Sequence, residues 1–384
     1  MEQINILILE DSDSDYKDIH LTSIESFNKT NNSNKVRVTD HRARTVEDAG
    51  KLLNSEISFH SAIVDLKLNQ ERTADEGKGN ELVGLILDKY RIPIFVYSKN
   101  TTLLDPKFED RRGVFFNTYN KGNKNFVDIL NEIKNINNTG IVEILGKRGH
   151  IENVLDKIFW RHISTSLGNW FDVTKDKNEK MLLRHVSEYI LQYLGFDEST
   201  GEYEQFHQAE FYSIPPVLDK LSTGDILLKN GSEEHFVVLT PSCDLAHAGK
   251  TKVVLIVKII PNSNGLILTL ISSIKKLKSQ QEIPDKKKEY DKVKADLSNL
   301  ICNNYSPKYY YLPSTKEIVG GLINFQEITT VKKDLIDSSI SEYKRIASIS
   351  SSFIKDIVAK FSNYYSRQGA PDLNKEDILA KLLD

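Results

Sequence analysis

Five polar residues in the first third of the sequence have the chemistry of a phosphoryl-transfer site. They are Glu10, Asp11, Asp65, Ser98 and Lys121, and each lies just behind a short apolar run. In an open parallel sheet, such residues meet outside the carboxyl ends of the strands. We therefore expect three carboxylates, one hydroxyl and one ammonium group to line a single pocket.

The carboxylates suggest a site for Mg²⁺, a hard cation that prefers oxygen ligands and keeps several waters. Asp11, Asp65 and the main-chain carbonyl of Lys67 would bind the ion, and Glu10 would orient a metal-bound water. The ion would neutralise charge, so that the Asp65 carboxylate can attack a phosphorus atom.

The remaining two groups suit the oxygens of the transferred phosphoryl group. Lys121 would bind them through its ammonium, and Ser98 through its hydroxyl. The product would be an aspartyl phosphate at Asp65. The added charge can reorder nearby loops, so that a local reaction becomes a conformational signal.

The elements that must position these residues alternate between strand and helix over residues 1–138. Nearly continuous apolar runs predict strands that are buried on both faces. The predicted strands are 4–9, 61–64, 92–97 and 113–117. The predicted helices are 14–27, one beginning after Thr45 as its cap, 80–89 and 125–134. Repeated βα units predict an α/β, doubly wound parallel sheet of the flavodoxin-like type.

The receiver domains of two-component response regulators have a similar order and spacing of residues. The resemblance rests on Glu10-Asp11, Ala62 to Leu66, Gly79 to Val83, Ile92 to Ser98 and Lys121, and it covers about the first third of the chain. It implies a phosphoacceptor at Asp65 and Mg²⁺ as the cofactor. It also implies a sensor histidine kinase or a kinase-like ATPase as the partner, and it allows a homodimer.

Three features depart from the receiver pattern. The stretch 69–78 after the phosphoacceptor is longer than usual, and Gly122 replaces the usual proline after the lysine. Thr118 stands where an aromatic switch residue is usual, and Tyr119 follows one place later. Phosphorylation stays possible, but the usual output mechanism does not follow. The alternative is a degenerate receiver that serves as a docking scaffold.

The rest of the sequence changes character twice. Helical spacing at 151–160 and 181–190 predicts a helical connector over residues 139–200. Residues 201–384 predict an α+β, β-rich output domain with C-terminal helices. Its predicted strands are 224–228, 235–240, 252–260 and 265–271. Its predicted closing helices are 338–365 and 374–383.

A segment of the second half suggests an alternative function. Residues 224–241 begin with Gly-Asp-Ile and end with Val-Val-Leu-Thr-Pro, and this short segment is similar to the SH3-like barrel of PemK-type endoribonuclease toxins. His235 stands where that family has a basic residue. The resemblance implies a nuclease-like effector enzyme in the C-terminal half, regulated by the receiver.

A possible output site lies around the end of the same segment. Its candidate residues are His235, Ser242, Cys243, Asp244 and His247. A thiolate needs a neighbouring imidazole to lower its pKa, so a cysteine nucleophile with a histidine base is one interpretation. A small buried cysteine is the alternative. Zinc ligation by Cys243 and Cys302 lacks the paired spacing of structural zinc sites.

Composition limits the class of protein. Of 384 residues, 39% are hydrophobic and 27% are charged, which predicts a folded globular chain. The formal net charge of −3 gives no overall basic footprint for nucleic acid, and the lysines at 275–294 and tyrosines at 305–311 support such binding only weakly. Two cysteines and the absence of a leader or spanning run predict a cytoplasmic protein with no membrane passage.

The C-terminal tail suggests a biological context. Residues 345–372 resemble the tail of uncharacterised bacterial proteins that carry a Ser-Cys-Asp-Leu segment. That resemblance implies a context beside signalling ATPases or in bacterial phage-defence clusters, and it implies no chemistry.

Overall fold

The chain consists of two compact units, Met1–Glu204 and Gln205–Asp384. The computed structural model describes residues 2–68, 77–147, 149–171, 175–197, 200–203, 205–247, 249–336, 338, 341–367 and 373–383. Most of the long stretch predicted after the phosphoacceptor, residues 69–76, lies outside these ranges. Within them, every helix is too short or too polar to cross a lipid bilayer.

The first unit contains a five-stranded parallel sheet. Its strands are β1 (Glu2–Leu9), β2 (Val36–Ala43), β3 (Ser61–Val64), β4 (Ile94–Ser98) and β5 (Phe116–Asn120). Their order is β2-β1-β3-β4-β5, which is the flavodoxin-like order of an α/β, doubly wound sheet. Ile6, Leu7 and Ile8 are all fully buried, as expected for a strand with packing on both faces. β5 begins at Phe116 rather than at the predicted Gly113.

Helices α1 (Thr22–Thr30), α2 (Val46–Asn54) and α3 (Gly79–Lys89) connect the first four strands along the chain, and α4 (Phe126–Asn137) follows β5. Two short 3₁₀ turns, Thr101–Leu103 and Pro106–Arg111, lie between β4 and β5. A short helical turn, Asp13–Asp15, and a π-helical stretch, Tyr16–Leu21, lead into α1. The hydroxyl of Thr45 accepts a hydrogen bond from the Asp48 amide, so the predicted cap of α2 is confirmed.

The start of α3 passes very close to the end of β3. A Cβ atom on Gly79 would lie 2.3 Å from the main-chain oxygen of Asp65 and 2.8 Å from the Leu66 Cα. Only glycine permits this approach without a backbone shift. The helix therefore supports the segment that carries Asp65.

The segment predicted as a helical connector belongs to the first unit. Its longer described helices are α5 (Ile141–Leu145), α6 (His150–Ile158) and α7 (Lys175–Leu194). A π-helical stretch, Phe159–Ile163, and two single turns, Ser164–Ser166 and Leu167–Trp170, follow α6. Two short strands, β6 (Phe196–Asp197) and β7 (Glu202–Tyr203), pair behind α7.

The second unit is built on a seven-stranded antiparallel sheet. Its strands are β8 (Tyr212–Ser213), β9 (Asp225–Lys229), β10 (His235–Val238), β11 (Val253–Pro261), β12 (Tyr309–Leu312), β13 (Gly321–Lys332) and β14 (Tyr343–Ile349). They lie in the order β12-β13-β11-β10-β9-β14-β8. The helices are α8 (Ser242–Ala246), α9 (Gly265–Lys278), α10 (Pro284–Ile301), α11 (Ser351–Ser366) and α12 (Lys375–Leu383). This β-rich arrangement with helices is of the α+β class.

Two predictions of secondary structure in this unit are wrong. The stretch 265–271 is the first half of helix α9 rather than a strand, because Asn264 caps the helix and Ile267, Leu270 and Leu277 form one buried face. The stretch 338–365 is not one helix, since its first part forms strand β14 against β9 and α11 begins only at Ser351.

Candidate functional site

The carboxyl ends of the parallel strands bring the five predicted polar residues to one edge of the sheet. Glu10 and Asp11 follow β1, Asp65 follows β3, Ser98 ends β4 and Lys121 follows β5. Main-chain hydrogen bonds continue past the strands: Asp65 N–H donates to Leu9 O at 3.0 Å, and Lys121 N–H donates to Ser98 O at 3.1 Å. The backbone therefore fixes the positions from which the side chains converge.

The Lys121 ammonium lies at the centre of the cluster. Its Nζ is 2.5 Å from Glu10 Oε2, 2.6 Å from Asp65 Oδ2 and 3.1 Å from Asp15 Oδ2. The side chain is only 3% exposed. An ammonium has three donors, and here each has a carboxylate acceptor.

The Asp65 carboxylate accepts hydrogen bonds on both oxygens. Oδ1 accepts from the Ser98 hydroxyl at 2.7 Å and from the Lys67 amide at 3.1 Å, while Oδ2 accepts from Lys121. The residue as a whole is 8% exposed. Asp65 is thus held in place by one charged donor and two neutral donors.

The pKa values of Lys121, Glu10 and Asp15 shift in the directions that keep these three groups charged. Burial alone would lower the pKa of Lys121, but the Asp65 and Glu10 carboxylates outweigh it and raise that pKa above its ordinary range. Burial would raise the pKa of Glu10, and the donors His20 and Lys121 instead lower it. The pKa of Asp15 is also lowered, because Lys99 and Lys121 outweigh the effect of burial.

His20 is a member of this site that sequence reasoning missed. Its Nε2 lies 3.3 Å from Glu10 Oε2, and both side chains are 1% exposed. The ring packs edge-on against Phe126, with centroids 4.5 Å apart. His20 lies in the π-helical stretch, whose wider turn alters which residues face the sheet. A regular helical pattern therefore could not identify it.

The site also contains Asp15, Lys99 and Arg42, none of which the sequence motif indicates. Arg42 donates to the main-chain oxygens of Glu10 at 2.9 Å and Asp11 at 3.0 Å, and so holds the acidic turn after β1. Lys99 pairs with Asp15 at 3.0 Å. Arg42 lies on β2, where it pairs with Ile8 of the neighbouring strand β1. Only the strand register reveals this position.

A cavity of ≈ 330 Å³ opens beside the cluster, and its lining includes Glu10, Asp11, Asp65, Lys67 and Lys99. The potential metal ligands on its wall are mainly carboxylate oxygens, which a hard cation such as Mg²⁺ prefers. No ready-made group of three or more His, Cys, Asp or Glu ligands exists among the described residues. These oxygen ligands fit Mg²⁺, and binding of the ion would require the carboxylates to rearrange around it.

The residues that depart from the receiver pattern lie in β5 and just after it. The Tyr119 hydroxyl donates to Glu132 Oε2 at 2.7 Å, and burial together with that carboxylate raises the pKa of Tyr119 to about 12. The Thr118 hydroxyl is buried without a hydrogen-bond partner among the described residues. Gly122 uses its N–H to donate to Asn120 Oδ1 at 2.8 Å, a bond that a proline could not form.

The possible output site in the second unit is not one cluster. His235 begins β10 and is buried, with Nδ1 2.9 Å from Glu233 O, whereas Ser242, Cys243 and Asp244 lie beyond the other end of that strand. Cys243 is exposed, and its Sγ lies 3.6 Å from Asp244 Oδ1. These positions separate His235 from the thiol.

The remaining candidates of the second unit are also at the surface. His247 is exposed just after helix α8, and Asp244 pairs with Lys250. Cys302 is exposed at the end of α10. A catalytic or zinc-binding role for these residues stays a prediction.

Comparisons with known proteins extend only to part of the chain. No family model matches it, and no curated protein matches it. The solved structures that it resembles include the N-terminal domain of a response regulator/sensory box/GGDEF 3-domain protein from Carboxydothermus hydrogenoformans, at 16% identity and a TM-score of 0.24. That match covers 34% of this chain and 91% of the other.

Two further solved structures are of the same kind. A CheY-like response regulator receiver domain from Methylobacillus flagellatus matches at 16% identity and a TM-score of 0.24, over 34% of this chain and 99% of the other. The RcsB response regulator of Salmonella typhimurium matches at 14% identity and a TM-score of 0.23, over 52% and 96%. The receiver-like character of the first unit rests on its own strand order and on the residues at its strand ends.

Proposed function

We propose that this chain is an atypical response-regulator-like signalling protein that is phosphorylated on Asp65. The observation that carries the proposal is the contact set of Asp65, whose two oxygens face the Lys121 ammonium at 2.6 Å and the Ser98 hydroxyl at 2.7 Å. Three different strand ends supply these groups. This arrangement supports the proposal, because a carboxylate that attacks phosphorus would need such groups beside it to bind the phosphoryl oxygens.

The reaction is a simple displacement at phosphorus. An oxygen of Asp65 forms a bond to the phosphorus of a phosphodonor, and the bond between that phosphorus and the donor's leaving group breaks. With acetyl phosphate, the leaving group is acetate, which takes the electron pair. Lys121 and Ser98, which now bind the carboxylate, would bind the oxygens of the transferred group.

Magnesium belongs to the proposal as the cofactor. Asp11, Asp65 and the Lys67 main-chain carbonyl would hold the ion, and Glu10 would orient one of its waters. When bound, Mg²⁺ would neutralise the charge that gathers as a phosphoryl group approaches the carboxylates. The acidic wall of the cavity supports this part of the proposal.

The phosphoryl group would act as the input to the C-terminal unit. A sensor histidine kinase or a kinase-like ATPase would supply it in the cell, and a phage-defence setting remains part of this proposal. The output step would differ from the common receiver mechanism. Tyr119 is tied to Glu132 and stacks on Phe95 at 6.3 Å, so it is not placed as the usual switch aromatic.

The test is incubation of the full chain with acetyl phosphate and Mg²⁺, followed by intact mass spectrometry. We expect a gain equal to one phosphoryl group in the wild type and none in Asp65→Asn. Asp88→Asn serves as the matched control, because Asp88 is an exposed aspartate of α3 outside the cluster. A wild type that gains no mass would overturn the proposal and favour the docking scaffold. A gain that persists in Asp65→Asn would place the phosphoryl group elsewhere.

A further inference from the structure

The Asp15 carboxylate contacts two lysines that differ in exposure to solvent. Its Oδ2 lies 3.1 Å from Lys121 Nζ and 3.0 Å from Lys99 Nζ. The Lys121 side chain is 3% exposed, whereas that of Lys99 is 73% exposed. Asp15 thus joins a buried cation of the candidate site to a cation at its surface.

Lys99 has a fixed backbone and an exposed side chain. Asn120 Nδ2 donates to the Lys99 main-chain oxygen at 2.9 Å, and Lys99 directly follows Ser98 at the end of β4. The residue also contributes to the lining of the cavity beside Asp65. The side chain can therefore turn towards the cavity or towards Asp15 without a change in the fold.

We propose that Lys99 is a second phosphoryl-binding lysine, beside Lys121, and that Asp15 holds it while no phosphoryl group is present. This inference rests on the proposed phosphorylation of Asp65. An incoming donor would draw the Lys99 ammonium from Asp15 onto its phosphoryl oxygens, and loss of the group would return Lys99 to Asp15. The pair would thereby set how readily the site accepts an anionic donor.

The strengths of the competing contacts favour this exchange. The contact between Lys99 and Asp15 is weak on the lysine side, because water screens the 73% exposed ammonium and its long side chain loses freedom in the pair, although the Asp15 side chain is only 14% exposed. A phosphoryl group carries up to two negative charges and three acceptor oxygens, so it competes well against one carboxylate. Lys121 is less free to move, since it is buried and three carboxylates occupy its donors.

The test compares phosphorylation rates of full-length variants with acetyl phosphate and Mg²⁺. In Lys99→Gln we expect the rate at low ionic strength to fall roughly threefold to fivefold, the size expected for one exposed charge contact. The deficit should shrink at high salt, because salt screens exposed charges. In Asp15→Asn the rate should rise, and this rise should be smaller in the Lys99→Gln background.

Lys89→Gln is the matched control, since it removes an exposed lysine from the last turn of α3, outside the cavity lining. A Lys99→Gln rate equal to that of Lys89→Gln at both ionic strengths, with the wild type phosphorylated, would overturn this inference alone. An Asp15→Asn variant whose rate rises equally with and without Lys99 would also overturn it. The rise would then come from the loss of a negative charge at the site and not from release of Lys99. Failure of the wild type to become phosphorylated would overturn the proposed function as well.

Discussion

Asp65 in the first unit and Asp225 in the second unit are both buried, and they have different partners. Asp65 in the first unit contacts an ammonium at 2.6 Å and borders a cavity. Asp225 in the second unit is 1% exposed and accepts from the Ser348 hydroxyl at 2.5 Å and the Ser222 amide at 2.7 Å. Its cationic partner, Arg345, is more distant at 3.4 Å.

The difference distinguishes a site built for charge from a structural contact. Burial raises the pKa of Asp225, although Ser348, Ser222 and Arg345 oppose that rise. The pKa of Glu10, beside Asp65, is lowered by contrast. Asp225 instead links β9 to β14 by hydrogen bonds between the strands.

The largest expected effect is the loss of the central cation. Lys121→Met would leave buried carboxylates without their shared partner, and we expect the first unit to lose about 3–5 kcal/mol of stability. Arg345→Met should cost the second unit only about 1–2 kcal/mol, because Asp225 keeps two hydrogen-bond donors. Hydrogen exchange in increasing urea measures each unit separately. Lys89→Met is the control, and equal losses in the two units would contradict the comparison.

A smaller effect is expected from the contact between α3 and the Asp65 segment. Gly79→Ala would place a Cβ 2.3 Å from the Asp65 oxygen, and we expect a loss of about 1–3 kcal/mol together with slower phosphorylation. Gly84→Ala on the same helix is the matched control. Among the described residues, its Cβ would meet Phe108 alone, at 3.6 Å, so it should stabilise the helix by up to about 1 kcal/mol. Equal behaviour of the two variants would show that the close approach is unimportant.

Glu10 and Asp225 should make the stabilities of their two units change in opposite directions as the pH falls. The lowered pKa of Glu10 contributes stability that is present above its ordinary value of 4.5 and is lost as the pH falls below it. The raised pKa of Asp225 means that the folded second unit gains stability as the pH falls towards 3.8, the ordinary value.

Fluorescence can follow this effect in the first unit, because both tryptophans, Trp160 and Trp170, lie there. We expect the urea midpoint of their fluorescence to decrease as the pH falls from about 5 to 3. Glu10→Gln should weaken that decrease. An unchanged pH dependence in Glu10→Gln would exclude Glu10 as its source.

The smallest effect should come from the second unit's exposed thiol. Cys243→Ser changes a side chain at the surface, so we expect a change in stability within about 0.5 kcal/mol and no change in phosphorylation. Nuclease assays on this variant and on His235→Ala test the alternative function. A nucleic-acid-cleaving activity of the wild type that Cys243→Ser abolishes would revive the enzymatic interpretation.

The sheet and the central site residues of the first unit could be predicted because the apolar strands and the polar residues that follow them indicate the same fold. Buried runs such as 4–9 predict central parallel strands, and topology then requires Glu10, Asp65 and Lys121 to meet. His20, Asp15 and Arg42 could not be predicted in the same way. Their contacts depend on a π-helical turn and on strand register, neither of which has a periodic signature in sequence.

The second unit was less predictable because short apolar runs do not distinguish strand from helix. Residues 265–271 are apolar in either case, and the cap at Asn264 decides for the helix. The reverse error at β14 arises because residues 343–349 carry charged side chains on a strand whose one face is buried. Tertiary pairing with β9 outweighs the local helical pattern there.

The N–H of Gly122 has a consequence for protein engineering. Consensus design replaces unusual residues with those common in a family, and here it would introduce the proline that receivers usually carry after their lysine. In this chain that exchange would delete the donor to Asn120 Oδ1, next to the Asn120 amide that holds the Lys99 backbone. Gly122→Pro would thus loosen the turn that presents Lys121.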